Sequence, residues 1–174
     1  MDSIRNFKYR LIKNFFNEEE LRILQPYCFS RLKGSWDTDH QAPMSPSWYK
    51  DPLLNTFLEL KLKRMEEETR LKLYKTYAFW RYYSYGATLK KHKDRPSCEI
   101  SITACIHKTD NWPIHVDKSS IEMEEGDGVV YLGCDLPHWR NEFKGEGCAQ
   151  VFMHYVDQNG PHSKHKEDRL KDEQ

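Results

Sequence analysis

Residues 99–107 read EISITACIH, and this stretch decides the fold. Ile100, Ile102, Ala104 and Ile106 fall on one side of an extended chain, while Ser101, Thr103, Cys105 and His107 fall on the other. A strict period of two predicts a β-strand with two different faces. Shorter runs of β character follow at 112–116, 129–132, 138–143 and 149–156. Turn residues separate them: Thr109-Asp110-Asn111, Glu125-Gly126-Asp127-Gly128 and Gly145-Glu146-Gly147. Upstream, 74–85 is dense in aromatic residues and reads as another strand. Strands this short and closely spaced, with no helices between them, predict an antiparallel sandwich or barrel.

The N-terminal part reads differently. Residues 7–16 alternate well enough for a strand. Asn17-Glu18-Glu19-Glu20 then has the form of a helix start, with Asn17 as N-cap and Glu20 three positions on. Leu21, Leu24 and Cys28 continue one face of that helix. Residues 33–50, rich in Gly, Pro, Ser and Asp, read as a loop that carries Trp36, Trp48 and Tyr49. Asp51-Pro52 opens a second helix, with Leu54, Phe57, Leu58, Leu62 and Met65 on its apolar stripe. Its other face places opposite charges four apart (Lys63/Glu67, Arg64/Glu68, Glu66/Arg70), a solvated surface. The whole chain is expected to be one mainly β domain with N-terminal helices: helical support and loop over 1–75, β core over 76–157, and a polar tail over 158–174.

Composition excludes several classes. The 174 residues hold 27 basic and 27 acidic side chains, so no net charge favours nucleic acid or an anionic membrane. No apolar run approaches the roughly 20 residues that span a bilayer. The N-terminus has no apolar segment of the secretory type, and a cytoplasmic monomer or homodimer is expected. Five cysteines, none in a CxxC pair, speak for reduced, mostly buried thiols rather than disulfides or structural zinc.

His92, Asp94 and His138 remain as the candidate chemistry. His92 and Asp94 stand two apart, hence on one side of an extended segment, and several strands later His138 can face them. Two histidines and one carboxylate on one face leave coordination positions open, the pattern of non-haem Fe(II) oxygenases. His115 and Trp139 are weaker candidates, each as well explained by packing.

Four stretches in this order, RYYSYGATLKKHKD (81–94), EISITACIH (99–107), EEGDGVVYLGCDLPHWR (124–140) and CAQVFMHYV (148–156), resemble the 2-oxoglutarate/Fe(II)-dependent dioxygenase superfamily. Within it they resemble the prolyl-4-hydroxylase-like branch, as does LIKNFFNEEELRIL (11–24). The resemblance implies a double-stranded β-helix of the jelly-roll or cupin type, in which His92, Asp94 and His138 hold Fe(II) and Tyr83 contacts 2-oxoglutarate. It further implies hydroxylation of a peptidyl residue (proline is one option) or of a small metabolite, coupled to decarboxylation of 2-oxoglutarate to succinate. Ascorbate is an optional accessory. In one respect the sequence departs from the branch. A Lys or Arg is normal about ten residues after the distal histidine, yet here 147–150 read GCAQ. Arg140, two after His138 and on the same face, is the first candidate to replace that cation. Arg95 is second, and His107 with Lys108 third; Gln150 with Tyr83 would hydrogen-bond the carboxylate without neutralising it. The missing cation also admits a catalytically silent, cupin-like metal- or ligand-binding module, or a metal-dependent oxygenase or isomerase that uses no 2-oxoglutarate. Residues 33–50 are expected to form a lid.

Overall fold

A computed structural model describes residues 2–166. The N-terminal region supplies a short helix α1 (Ile4–Phe7), strand β1 (Tyr9–Ile12), helix α2 (Glu18–Arg31), strand β2 (Ser47–Tyr49) and helices α3 (Pro52–Leu60) and α4 (Leu62–Thr69). Eight further strands follow: β3 (Leu73–Ser84), β4 (Leu89–His92), β5 (Ile100–Lys108), β6 (Ile114–Val116), β7 (Ser119–Ile121), β8 (Gly128–Leu132), β9 (His138–Arg140) and β10 (Gly147–Asp157). They form a six-stranded sheet, β1-β8-β5-β10-β3-β2, facing a four-stranded sheet, β4-β9-β6-β7. All of the strand pairings are antiparallel. This is the expected mainly β sandwich with N-terminal helices. Among the described residues no helix is long and apolar enough to cross a membrane.

The alternation in 99–107 works as read. Ile100, Ile102, Ala104 and Ile106 of β5 are fully buried in the apolar layer beneath the helices, together with Leu24, Leu54, Phe57, Leu58 and Met65. The opposite face of β5, with Ser101, Thr103 and Cys105, is also buried, because it lines the interior between the two sheets. Burying an apolar side chain of this size is worth roughly 1.5–3 kcal/mol, so this layer fastens the helices to one face of the large sheet. It leaves the other side for polar groups. The capping box at Asn17 forms as expected, with Asn17 Oδ1 accepting from the Glu20 N–H and Glu20 Oε2 from the Asn17 N–H, both at 2.9 Å.

Four local expectations are corrected. The strand read over 7–16 is only Tyr9–Ile12, preceded by the helical turn α1. The single second helix is two, broken at Lys61, whose ammonium reaches back to Glu20 at 2.7 Å. Of its predicted charge pairs Arg64–Glu68 forms, while Glu66 reaches Lys72 instead. The loop 33–50 ends in a real strand, β2, which extends the edge of the large sheet. There Trp48 stacks face to face on Trp80 at 4.1 Å. The run 138–143 is a strand only to Arg140, and β4 and β7 emerge from sequence too short and polar to show a period. The expected polar tail reaches beyond the described residues; its described part ends in a 3-10 turn, Ser163–His165.

Candidate active site

Two neighbouring strands of the small sheet bring the candidate ligands together. β4 and β9 pair antiparallel with His92 opposite His138, so their imidazoles lie 4.2 Å apart, centre to centre. β4 ends at His92, and the chain then folds so that the Asp94 N–H donates to the Gly133 carbonyl at 2.9 Å. This turn places Asp94 Oδ1 3.6 Å from His92 Nε2 and 3.4 Å from His138 Nε2. The donor atoms of all three lie within 4.8 Å of one another, close enough to share one metal ion.

Each histidine is oriented from behind. His92 Nδ1 meets the Lys90 carbonyl at 2.7 Å and His138 Nδ1 the Leu136 carbonyl at 3.0 Å, which leaves both Nε2 atoms directed at the common point. Asp94 Oδ2 accepts from Ser101 Oγ at 2.9 Å, and Ser101 also meets His154 Nδ1 at 2.8 Å. A Cβ on Gly133 would collide with Asp94 Oδ2, the Cys98 carbonyl and Ser101 Oγ, so only glycine lets the carboxylate sit where it does. Burial alone would raise the Asp94 carboxyl; hydrogen bonding to His138 and His92 outweighs it and holds Asp94 well below the usual carboxylate range. Burial lowers His138, but the Asp94 carboxylate more than reverses this, so His138 carries a proton more readily than a free imidazole. A divalent cation fits the place that this proton stabilises.

The three residues border a cavity of about 580 Å³ between the sheets. Tyr77, Phe79 and Arg81 of β3, Phe152 and His154 of β10, Tyr131 of β8, Arg95, and residues 37–41 of the loop complete it. His154 is 3% exposed and its Nε2 has no hydrogen-bond partner; burial pushes the imidazole down to about 4, so it is neutral. A second group with metal-ligating side chains, Asp94, Cys98 and His154, shares the carboxylate. Its thiol is pushed far up by burial and bonds to the Tyr77 hydroxyl at 3.2 Å, which makes it a poor metal ligand.

The candidate anchors separate by position. Arg140, 1% exposed, lies behind the cavity wall, with Nη1 on the Trp112 carbonyl and Nη2 on Gln150 Oε1 at 3.2 Å. Its Nε has no partner, and among the described residues no carboxylate pairs with it. Gln150 and Tyr83 are buried at the same end. Arg95 follows β4 rather than continuing it, so strand alternation does not govern it. It lines the cavity over the Tyr77 ring and donates to the Tyr49 hydroxyl at 3.3 Å. His107 and Lys108 are turned away, toward Glu125 and Glu124. His115 stacks on Trp139, and neither borders the cavity. Trp48 belongs to the stack with Trp80, outside the cavity, while Tyr49 lines it. Sequence reading missed Arg81, Gly133, Ser101 and His154 as parts of the site. The alternation Tyr77/Phe79/Arg81/Tyr83 on β3 was the signal for the first.

No family model and no curated protein matches the chain. Solved structures do. A prolyl-4-hydroxylase of Pseudomonas putida matches with a TM-score of 0.72 at 15% identity, covering 88% of this chain and 95% of that one. HygX from Streptomyces hygroscopicus, solved with nickel, 2-oxoglutarate and hygromycin B bound, gives 0.68 at 10% identity, over 87% of this chain and 84% of that one. A prolyl hydroxylase from Trichoplax adhaerens, in complex with a hypoxia inducible factor oxygen degradation domain peptide fragment, gives 0.67 at 10% identity, covering 89% and 86%. At such identities the likeness is one of fold: the chain has the double-stranded β-helix of the 2-oxoglutarate/Fe(II) oxygenases, the prolyl-4-hydroxylase branch among them.

Proposed function

We propose that this chain is an Fe(II)- and 2-oxoglutarate-dependent oxygenase. The observation that carries the reading is the convergence of His92, Asp94 and His138 on the wall of an interior cavity, with an uncompensated guanidinium on the same strand as His138. Fe(II) held by these three residues would supply the oxygen chemistry, with ascorbate as an optional reductant. What the chain itself contributes is charge and orientation. Fe(II) and Asp94 together carry one positive charge, and a 2-oxoglutarate dianion would leave one negative. Arg140 restores neutrality, and a buried charge gains most from such a partner. Two residues along β9 span about 6.6 Å, the scale of a five-carbon diacid with one end at the metal and its far carboxylate at Arg140. Tyr83 accepts from Arg81 Nη1 at 3.4 Å and so keeps its own hydroxyl proton for that carboxylate. Gln150, already on Arg140, has an amide to offer as well.

Of the neighbours, one holds a peptide fragment and another hygromycin B, which supports hydroxylation of a peptidyl residue or of a small molecule as the reaction class. The silent-module alternative drew on the cation missing from β10. A guanidinium on β9 answers that argument. The reading is tested by mixing the protein anaerobically with Fe(II) and 2-oxoglutarate. A visible charge-transfer band is expected in wild type and none in His92→Ala. No band, together with no succinate in air, would sink the proposal.

A further inference from the structure

A second guanidinium, Arg81, faces the cavity itself, and beyond its bond to Tyr83 the charge balance just described does not use it. Arg81 is 2% exposed, on β3, opposite Gln150 in the strand register. Its Nη1 donates to the Tyr83 hydroxyl, its Nη2 pairs with the Asp39 carboxylate, and its Nε is buried without a partner. Asp39 comes from the loop over the cavity, and its side chain is 38% exposed. Its Oδ1 is taken by the backbone N–H groups of Gln41 and Ala42, at 2.9 and 3.0 Å. Only Oδ2 is left for the arginine. The guanidinium edge formed by Nε and Nη2 suits both oxygens of one carboxylate, and Asp39 fills half of it.

We propose that Arg81 selects the substrate to be oxidised, that this substrate is a small molecule bearing a carboxylate, and that Asp39 is an internal stand-in which the substrate displaces. The inference rests on reading the site as that of a 2-oxoglutarate oxygenase. Position separates the two arginines. Arg140 shares its strand with His138 and lies behind the wall, suited to the molecule held at the metal. Arg81 stands on the facing sheet beneath an exposed loop, where a molecule arriving from solvent meets it. Beside it Phe79 and Phe152 stack at 4.5 Å, with the Arg81 guanidinium 5.4 and 5.9 Å from their centres. They form a flat apolar wall for the body of such a molecule. Apart from Arg81 and Asp39, the lining carries Lys93, Arg95 and Asp37. Once Asp39 swings away the lining loses a negative charge beside Arg81, which favours an anion in its place.

The test uses protein loaded with Mn(II) and saturating 2-oxoglutarate. N-acetyl-L-amino acids and their carboxamides, which differ in charge but barely in shape, are titrated calorimetrically into wild type, Arg81→Lys and Asp39→Asn. A carboxylate is expected to outbind its carboxamide by about tenfold or more, the scale of a charge-assisted hydrogen bond. Asp39→Asn should tighten that binding. Arg81→Lys, which keeps the charge but not the fork, should lose most of the preference and weaken 2-oxoglutarate far less. Equal binding of carboxylates and carboxamides would overturn the proposal. So would tighter 2-oxoglutarate dependence on Arg81 than on Arg140, which would make Arg81 the cosubstrate anchor. If Arg81→Lys does not fold, Asp39→Asn alone decides: unchanged or weaker carboxylate binding overturns the proposal. Wild type that fails to bind 2-oxoglutarate with Mn(II) is a separate result, and it takes down the reading of the site itself.

Discussion

At one end of the barrel interior, His92 and His138 face each other across a paired β4–β9 register, backed by carbonyls, Ser101 and Gly133. At the other end, Arg140, Gln150, Tyr83 and Arg81 meet from three strands in the two sheets, and two guanidinium nitrogens have no partner at all. At the first end each ligand side chain is held from behind by a hydrogen bond, and the three together suit a cation. The second holds positive charge in reserve and needs an anion. Under the proposed function such a site would divide its work, with the fixed end doing chemistry and the under-satisfied end doing recognition.

Breaking the fixed end should cost most. His138→Ala is expected to abolish stoichiometric Fe(II) or Mn(II) binding and to lower succinate formation by more than about 100-fold, measured by metal analysis and product assay, since it removes a ligand rather than a supporting residue. Arg140→Met should weaken 2-oxoglutarate by roughly 100-fold, the loss expected when a carboxylate forfeits charged hydrogen bonds, while metal binding stays. If instead 2-oxoglutarate binding is untouched, the division between the two ends is drawn in the wrong place. Ser101→Ala should lower metal affinity by about tenfold, because Asp94 loses the hydroxyl that fixes it. The smallest expected effect concerns His154, whose folded value lies below that of a free histidine. The unfolded chain then binds the extra proton, so stability should fall as pH drops from about 6.5 toward 4. His138 shifts the opposite way, so the measurement is a difference: urea unfolding of wild type and His154→Gln at pH 7 and pH 4.5 should show a shallower loss in the variant, by about 2 kcal/mol.

The same contrast governs how much was legible in the sequence. The metal end could be read because its ligands are rare residue types at local spacing, His92 and Asp94 on one extended face, and because β5 alternates strictly. The order of motifs then carried the fold. The recognition end could not be read, since it is assembled across sheets. Arg81 meets Asp39 over 42 residues of chain, and Arg140 meets Gln150 across the interior. No periodicity reports such contacts. Arg95 shows the limit of strand alternation: β4 stops at His92, so the side chain that parity would turn outward lines the cavity. β2 was hidden for a different reason. Three residues after a Pro- and Ser-rich loop carry no period, and only the Trp48–Trp80 stack makes them a strand.

The pairing of β4 with β9 also fixes when the metal can be acquired. His138 follows His92 by 46 residues, and in the folded sheet β9 lies between β4 and β6. An emerging chain therefore offers His92 and Asp94 alone, a weak pair, and the full set of donors appears near the end of assembly. Under the proposed function an ion held by all three residues would load late, and it would fasten a seam of the small sheet. Ligand linkage makes that seam tighten as free metal rises. Opening between β4 and β9 on heating should therefore move to higher temperature when Mn(II) is added.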